Sequence, residues 1–367
     1  MNKIWLFLIS ALLPSAAFAD YTFIVPQQPG AGTAQWATIV KLELEKTLGE
    51  KINIKYLPGA HDIAGFNKFH AHERFDPKTV MVSHGGNGVS FIQEKVEYDY
   101  ADYDCIGLQN LNIVMGLREG VDPFDKRTRL SFASESGVVP EAMAVELLLG
   151  GPGLTSQQHI ENFTKRVNWV LGMSTAERRL AFRRGELNTT RENPAAFKKQ
   201  VEPLIAERQA RLWMHHGILN PATGRYDDDP NYPPGYQLEA LYKKTWGVEP
   251  AGDLYDAYKL IKSWRDVLQK ALWVNKGNPN TDKLRGALRT MLQNPASVAV
   301  IEKEVGKYDW IVGEQCNKQV QVLRGFITDA ALKTLVAFNK EALGMSAVYK
   351  PQLVSSDRPA NQLVRHR

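Results

Sequence analysis

The sequence predicts an α/β protein built from two units with a ligand cleft between them, and three observations carry that reading. Three times near the N-terminus a short run of β-branched or aromatic residues ends in a glycine-bearing loop and passes into a helical segment. The same pattern returns after Thr128, in a second unit. With about 350 residues left beyond a short N-terminal leader, the chain is long enough for two domains of ordinary size.

The first strand–loop–helix unit runs from Tyr21 to Thr38. Tyr21 to Val25 suits a buried pleated position, and Pro26 and Pro29 end the strand and stiffen the turn. Gly30, Ala31, Gly32 and Thr33 are small enough to let backbone N–H groups face a ligand where a helix begins. Unpaired amides and a positive dipole end attract an anion there, so the loop reads as a carboxylate cradle, with a glycine turn that holds nothing as the plainer alternative. Gln35 occupies the third position of a G-x-G-x-x-G pattern, which breaks the dinucleotide fingerprint. A phosphate-binding Gly-Lys-Ser/Thr ending is also missing.

Ahead of this unit, Lys3, the apolar run Ile4 to Leu13 and the Ala17-Phe18-Ala19 end have the form of a secretory leader, 1–19, cut before Asp20. Its removal takes one lysine and no acid, so the net charge of +5 becomes +4. A mean hydropathy of −0.32 and the lack of any other long apolar run match a water-soluble mature chain. Arg178, Arg179, Arg183 and Arg184 read as a solvated helix face, not a nucleic-acid surface. Cys105 and Cys316 are an even pair that can bridge in an oxidising compartment or remain two buried thiols. His70 with His72, and His215 with His216, lack carboxylates at ligand-like intervals, so no metal is expected. No G-x-S-x-G elbow or H-E-x-x-H occurs, which argues against an enzyme.

In chain order, Ala34 to Leu48 is expected as a helix, with Trp36, Ile39, Val40, Leu42, Leu44 and Leu48 on its apolar face and Gly49 as its stop. Ile52–Tyr56 and Thr79–Val82 are the next strands, leading to Pro58-Gly59-Ala60 and to Ser83–Gly88. In an open parallel sheet these loops gather at the carboxyl edge. Cys105–Gly116 carries the chain out of the first unit. Thr128–Phe132 is a strand, the small-residue loop Ala133–Gly137 follows, and a helix starts at Pro140. Val167–Gly172 is a strand and Thr175–Arg184 a helix. Residues 211–256, rich in Pro, Tyr, Asn and Asp, read as a surface excursion or lid, without the spaced acids of a calcium loop. Ala271–Val274 returns as a strand to the first unit, with helices over Thr281–Leu292, Pro295–Gly306 and Ala330–Ala342.

The motifs IVPQQPGAGTA, LPGAHDIAG, FDPKTVMVSHGGNG, SFASESGVVPEAMAVELLL, RLAFRRGEL and ALWVNKGNPNTDKLRGALRTMLQNP occur in this order. Taken together, they make the mature chain resemble the substrate-binding proteins of tripartite tricarboxylate transporters, the Bug or TctC-like family of periplasmic receptors. Ala31 and Ala34 stand where that family usually has glycine and aspartate, and Asn188 where an aspartate is usual. The resemblance implies a two-domain periplasmic-binding-protein fold of the Venus-flytrap, type II-like kind. Domain 1 would be 20–118 with 270–350, domain 2 would be 119–269, and 351–367 a tail. It also implies a periplasmic monomer without a cofactor, which binds a small organic acid and delivers it to membrane permease subunits. Sensing on behalf of a membrane signalling protein is the alternative, and a secreted enzyme a more distant one. Matched ligand residues are Pro29, Gly30, Ala31, Gly32 and Thr33; Gly59 and Ala60; Gly86, Asn87 and Gly88; and Ser134, Ser136 and Gly137. Side-chain donors would come from Gln28, Thr33, Asn87, Ser134 and Ser136, with loop amides and water holding the carboxylate more than an arginine clamp.

Overall fold

The computed structural model describes residues 20–59, 63–134, 139–220 and 225–354. The leader, and with it Ala60, Ser136 and Gly137, lies outside the described residues. Its strands are β1 (Tyr21–Val25), β2 (Ile52–Tyr56), β3 (Thr79–His84), β4 (Tyr103–Gln109), β5 (Val114–Arg118), β6 (Leu130–Ser134), β7 (Val167–Leu171), β8 (Thr189–Glu192), β9 (Ala210–His215), β10 (Ile218–Asn220), β11 (Arg225–Asp227), β12 (Lys270–Asn275) and β13 (Trp310–Val312). Both ends of the chain build a six-stranded sheet in the order β2-β1-β3-β12-β4-β13. The middle builds an antiparallel β8-β5-β9 sheet and a parallel β6-β7 pair.

The large sheet is covered on both faces, and its strands show why they read as continuous apolar runs. Phe23 and Val25, Val80 and Val82, Ile106, and Leu272 and Val274 share one core with the Gly32–Leu48 and Thr281–Gln293 helices. The alternate residues Ile24, Met81, Cys105, Ala271 and Trp273 belong to a second core that continues into the middle of the chain through Met115, Leu130 and Phe132. Burial of each large side chain contributes roughly 1.5–3 kcal/mol. On the first helix Trp36, Val40, Leu44 and Leu48 face inward as their spacing requires, but Leu42 is 51% exposed. Trp36 stacks on Trp310 at 5.6 Å and donates its indole N–H to Gln109 Oε1 at 3.0 Å.

Three expectations are corrected, and the path of Cys105–Gly116 is made specific. The sheet is mixed, because β12 runs antiparallel to both β3 and β4, and β13 antiparallel to β4. Cys105–Gly116 is two strands in two sheets, with the crossing at residues 110–113. Residues 211–256 are no surface excursion: they supply β9, the β10-β11 hairpin and the Leu238–Trp246 helix, and they bury His215, His216 and Asp229 completely. Asp229 accepts from Asn112 Nδ2 at 2.9 Å and from Tyr308 Oη at 2.7 Å, which ties this stretch to the returning C-terminal part. Arg178 is buried, not solvated, and with Arg179 clamps Glu192 at the end of β8. Arginines on one helix and a carboxylate on the next strand, 13 and 14 residues on, leave no periodic trace in sequence. Cys105 on β4 and Cys316 on the Glu314–Arg324 helix are bonded, their Cα atoms 5.7 Å apart.

Candidate functional site

In the first loop, Pro29 precedes Gly30 at φ +83°, and the Ala31 N–H donates to the Gln28 carbonyl at 3.2 Å. Proline followed by a positive-φ glycine is the signature of a type II turn, and Gln35 Nε2 braces it from the helix by donating to the Gly30 carbonyl at 2.9 Å. Gln28, Pro29 and Gly30 are exposed turn residues. The helix starts at Gly32 with no side-chain cap at Ala31 and no acid in its first turn. Thr33 N–H donates to Gln27 Oε1 at 3.3 Å, while the Gly32 and Ala34 amides have no partner among the described residues. Such an end favours an anion.

Register then brings a cation to this end. At the start of β12, Lys270 pairs with His84 at the end of β3 and with Gln109 at the end of β4. Its ammonium, on a side chain that is almost wholly buried, donates to Thr33 Oγ1 at 2.8 Å. Sequence reading took this stretch only as a returning strand. Lysine immediately before Ala271–Val274, at the edge where the loops gather, was the signal available.

The other loops divide. Gly59 is exposed, at φ +127°. The Asn87 side chain works within its own turn, where Oδ1 accepts from the His84 N–H at 3.2 Å. The Gly86 N–H donates to His84 Nδ1 at 3.0 Å. Gly85 and Gly88 are required by packing: a Cβ would stand 2.8 Å from the Arg265 carbonyl oxygen at the first and 2.8 Å from the Trp264 carbonyl oxygen at the second. From the middle of the chain, Ser134 ends β6 fully buried and accepts from Arg191 Nη2 at 3.1 Å. Asn188 fastens β8 to β6, its Oδ1 accepting from the Ser131 N–H at 2.7 Å.

Around Ser134 lies a charged cluster that no local motif announced. Glu141, the second residue of the Pro140–Gly150 helix, is fully buried. Its Oε1 lies 3.4 Å from Arg191 Nη1 and its Oε2 accepts from Arg265 Nη1 at 3.1 Å. Burial by itself raises a carboxyl pKa, but the charges of Arg191, Arg265 and His216 outweigh it and hold Glu141 at about 2. Next to it, His216 Nδ1 is 3.3 Å from Asp266 Oδ2. Arg191 Nε, Arg265 Nε, Gln269 Oε1 and Asp266 Oδ1 are buried without a hydrogen-bond partner among the described residues. These orphaned atoms mark a polar space where water or a ligand finds partners.

Val114 pairs with Glu192 and with His215, so those strand ends lie together, and Asn193 follows directly after Glu192. A Cβ at Gly32 would fall 2.4 Å from Asn193 Nδ2, so the first loop meets the middle of the chain here. A bare approach for a ligand at Gly32 was expected; the structure fills that space with Asn193.

No family model matches the chain, and no curated protein matches it. Solved structures do. The MatC protein of Rhodopseudomonas palustris, solved with malate bound, is 16% identical, with a TM-score of 0.53 over 86% of this chain and 98% of that one. The periplasmic binding protein BugD is 16% identical, with a TM-score of 0.56 over 88% and 98%. A second R. palustris protein, solved with adipate, is 14% identical, with a TM-score of 0.54 over 88% and 97%. The fold is that of the two-domain solute-binding proteins. The element order also accounts for the motif order seen in sequence.

Proposed function

We propose that this chain is a non-enzymatic periplasmic receptor of the Bug or TctC-like kind, which closes on a small organic acid and passes it to the permease of a tripartite tricarboxylate-type transporter. The observation that supports this is the buried Lys270 ammonium against Thr33 Oγ1, at a helix start that Ala31 leaves uncapped and whose first turn holds no acid. An uncapped N-terminus and a fixed cation together bind a carboxylate better than they bind a neutral solute. The R. palustris proteins of the same fold were solved with malate and adipate, two carboxylates. Closure is a hinge motion in which loops of both halves contact one ligand. The domain limits given above, cleavage after Ala19, and ligand contacts from Gly32, Thr33 and Ser134 are parts of this proposal.

A thermal-shift screen with carboxylates, amino acids and sugars tests it. A ligand present at a hundred times its Kd stabilises by about 2.7 kcal/mol, an easily read shift. A response to a neutral sugar beside silence toward every acid would sink the carboxylate reading. Affinity capture of the membrane partner separates delivery to a permease from signalling.

A further inference from the structure

Helix starts on the two facing halves differ in one respect that bears on ligand charge. The Gly32–Leu48 helix has no acid in its first turn, whereas the Pro140–Gly150 helix has Glu141 there. An anion at a helix start is stabilised by the dipole, and Glu141 has that position from within its own helix. It also has two guanidinium groups from separate elements: Arg191 from β8 reaches Oε1 at 3.4 Å and Arg265 from the Asp253–Val267 helix reaches Oε2 at 3.1 Å. Two arginines and a helix start converging on one carboxylate, next to a serine, form the arrangement with which proteins recognise a carboxylate from solution.

This cluster touches the loops of the proposed site. Arg191 shares its guanidinium between Glu141 and Ser134. Gly85, at the turn after β3, packs so closely on Arg265 that an added Cβ would lie 2.6 Å from Arg265 Cγ. Asn193, two residues beyond Arg191, meets Gly32 of the first loop. This edge thus has one anion place at the Thr33 helix start, against Lys270, and one that Glu141 already fills, at Arg191 and Arg265.

We infer that Glu141 occupies the position a ligand's second carboxylate would take, so that the receptor selects acids with a single carboxylate and turns away diacids of the same length. This rests on the receptor reading above. A diacid entering the cleft must bring its distal carboxylate against Glu141, a buried charge that has nowhere to go. It must otherwise displace Glu141 from both arginines. Either course is unfavourable, which is how a site rejects a competitor without losing its own ligand.

The test is calorimetry and thermal shift with length-matched pairs, butyrate with succinate and hexanoate with adipate, on the full mature chain, on Glu141→Ala and on Glu141→Gln. The wild-type chain is expected to bind the better monoacid about tenfold or more tighter than its paired diacid. Glu141→Ala, which empties the place and leaves both arginines, is expected to reverse that order, with the diacid also restoring its melting temperature. Glu141→Gln keeps the volume without the charge and is expected to narrow the difference. Should Glu141→Ala not fold, the wild-type preference and the Gln variant still decide. A wild-type chain that binds the diacid as tightly as its paired monoacid overturns this inference and leaves the receptor reading in place. Failure of every acid to bind removes both.

Discussion

On the receptor reading proposed above, in which the contact of Gly32 with Asn193 belongs to the closed state, Gly32→Ala tests closure apart from folding. Gly32 is not among the positive-φ glycines, so alanine there introduces no backbone strain. Its Cβ would stand 2.4 Å from Asn193 Nδ2, about an ångström short of ordinary contact. Asn193 cannot simply rotate away, because its Oδ1 accepts from the Ala196 N–H at 3.0 Å and caps the Pro194–Gln200 helix. The closed state therefore either gives up the cap or leaves the two surfaces apart. Whichever costs less sets the loss, so the cap's worth of roughly 0.5–2 kcal/mol is its ceiling, a 2- to 30-fold loss of affinity. The open state keeps its cap, and the melting temperature without ligand should change little. Titration calorimetry with the acid that stabilises most in the thermal screen, on Gly32→Ala, Asn193→Ala and the double variant, measures the coupling. Alanine at 32 should cost little affinity once Asn193 is alanine. An equal loss in both backgrounds, or a lowered melting temperature with affinity intact, would refute this account of closure.

Other expectations follow from the same cluster of residues. Lys270→Met keeps the buried stem and removes the ammonium that the proposed site aims at the ligand's carboxylate; a charged hydrogen bond to it is worth about 1.5–3 kcal/mol, so calorimetry should show acid affinity falling roughly 10- to 150-fold. Glu141 has a folded pKa of about 2 against an ordinary 4.5, so its contribution is complete above pH 4.5 and is lost as pH falls through 2. It amounts to on the order of 3 kcal/mol, and acid melting curves of wild type and Glu141→Gln should converge over that window. His215 is held at about 4, first by burial, against the opposing pull of Asp229 and Asp228, and its Nδ1 accepts from the Gly217 N–H as a neutral ring does. Its depressed pKa means stability complete above pH 6.5 and declining as pH falls through 4; His215→Gln should flatten the melting curve in that range. With Cys105 and Cys316 bonded, unreduced protein is expected to take up no alkylating label, and replacing both with serine costs about 2–5 kcal/mol in denaturant unfolding.

Much of the fold was legible because it is local. Ile52–Tyr56 and Thr175–Arg184 stand where alternation and a glycine stop place them. Pro29 and Gly30 form the turn their order implies, and the six-stranded sheet contains the strand that returns after residue 270, as expected. Pairing direction was not legible, since an antiparallel β12 between β3 and β4 follows from the path of the chain and not from its own composition. Residues 211–256 misled for a related reason. Besides apolar groups such as Met214, Leu219, Leu238 and Tyr242, they turn His215, His216 and Asp229 inward, and only partners such as Asn112, Asp266 and Tyr308 make these polar groups interior.

The sequence by itself determined that there are strand–glycine loop–helix units, and that the first of them passes through a proline–glycine turn into a helix. Hydrogen-bond spacing, proline and glycine geometry act within a few residues, and they need no distant partner. Tertiary structure alone decided what faces that helix start. Lys270 lies 237 residues from Thr33, and Arg265 lies 124 from Glu141. A charge becomes a binding group or an internal counter-ion according to what burial places beside it, because low dielectric strengthens the pair and penalises the unpaired.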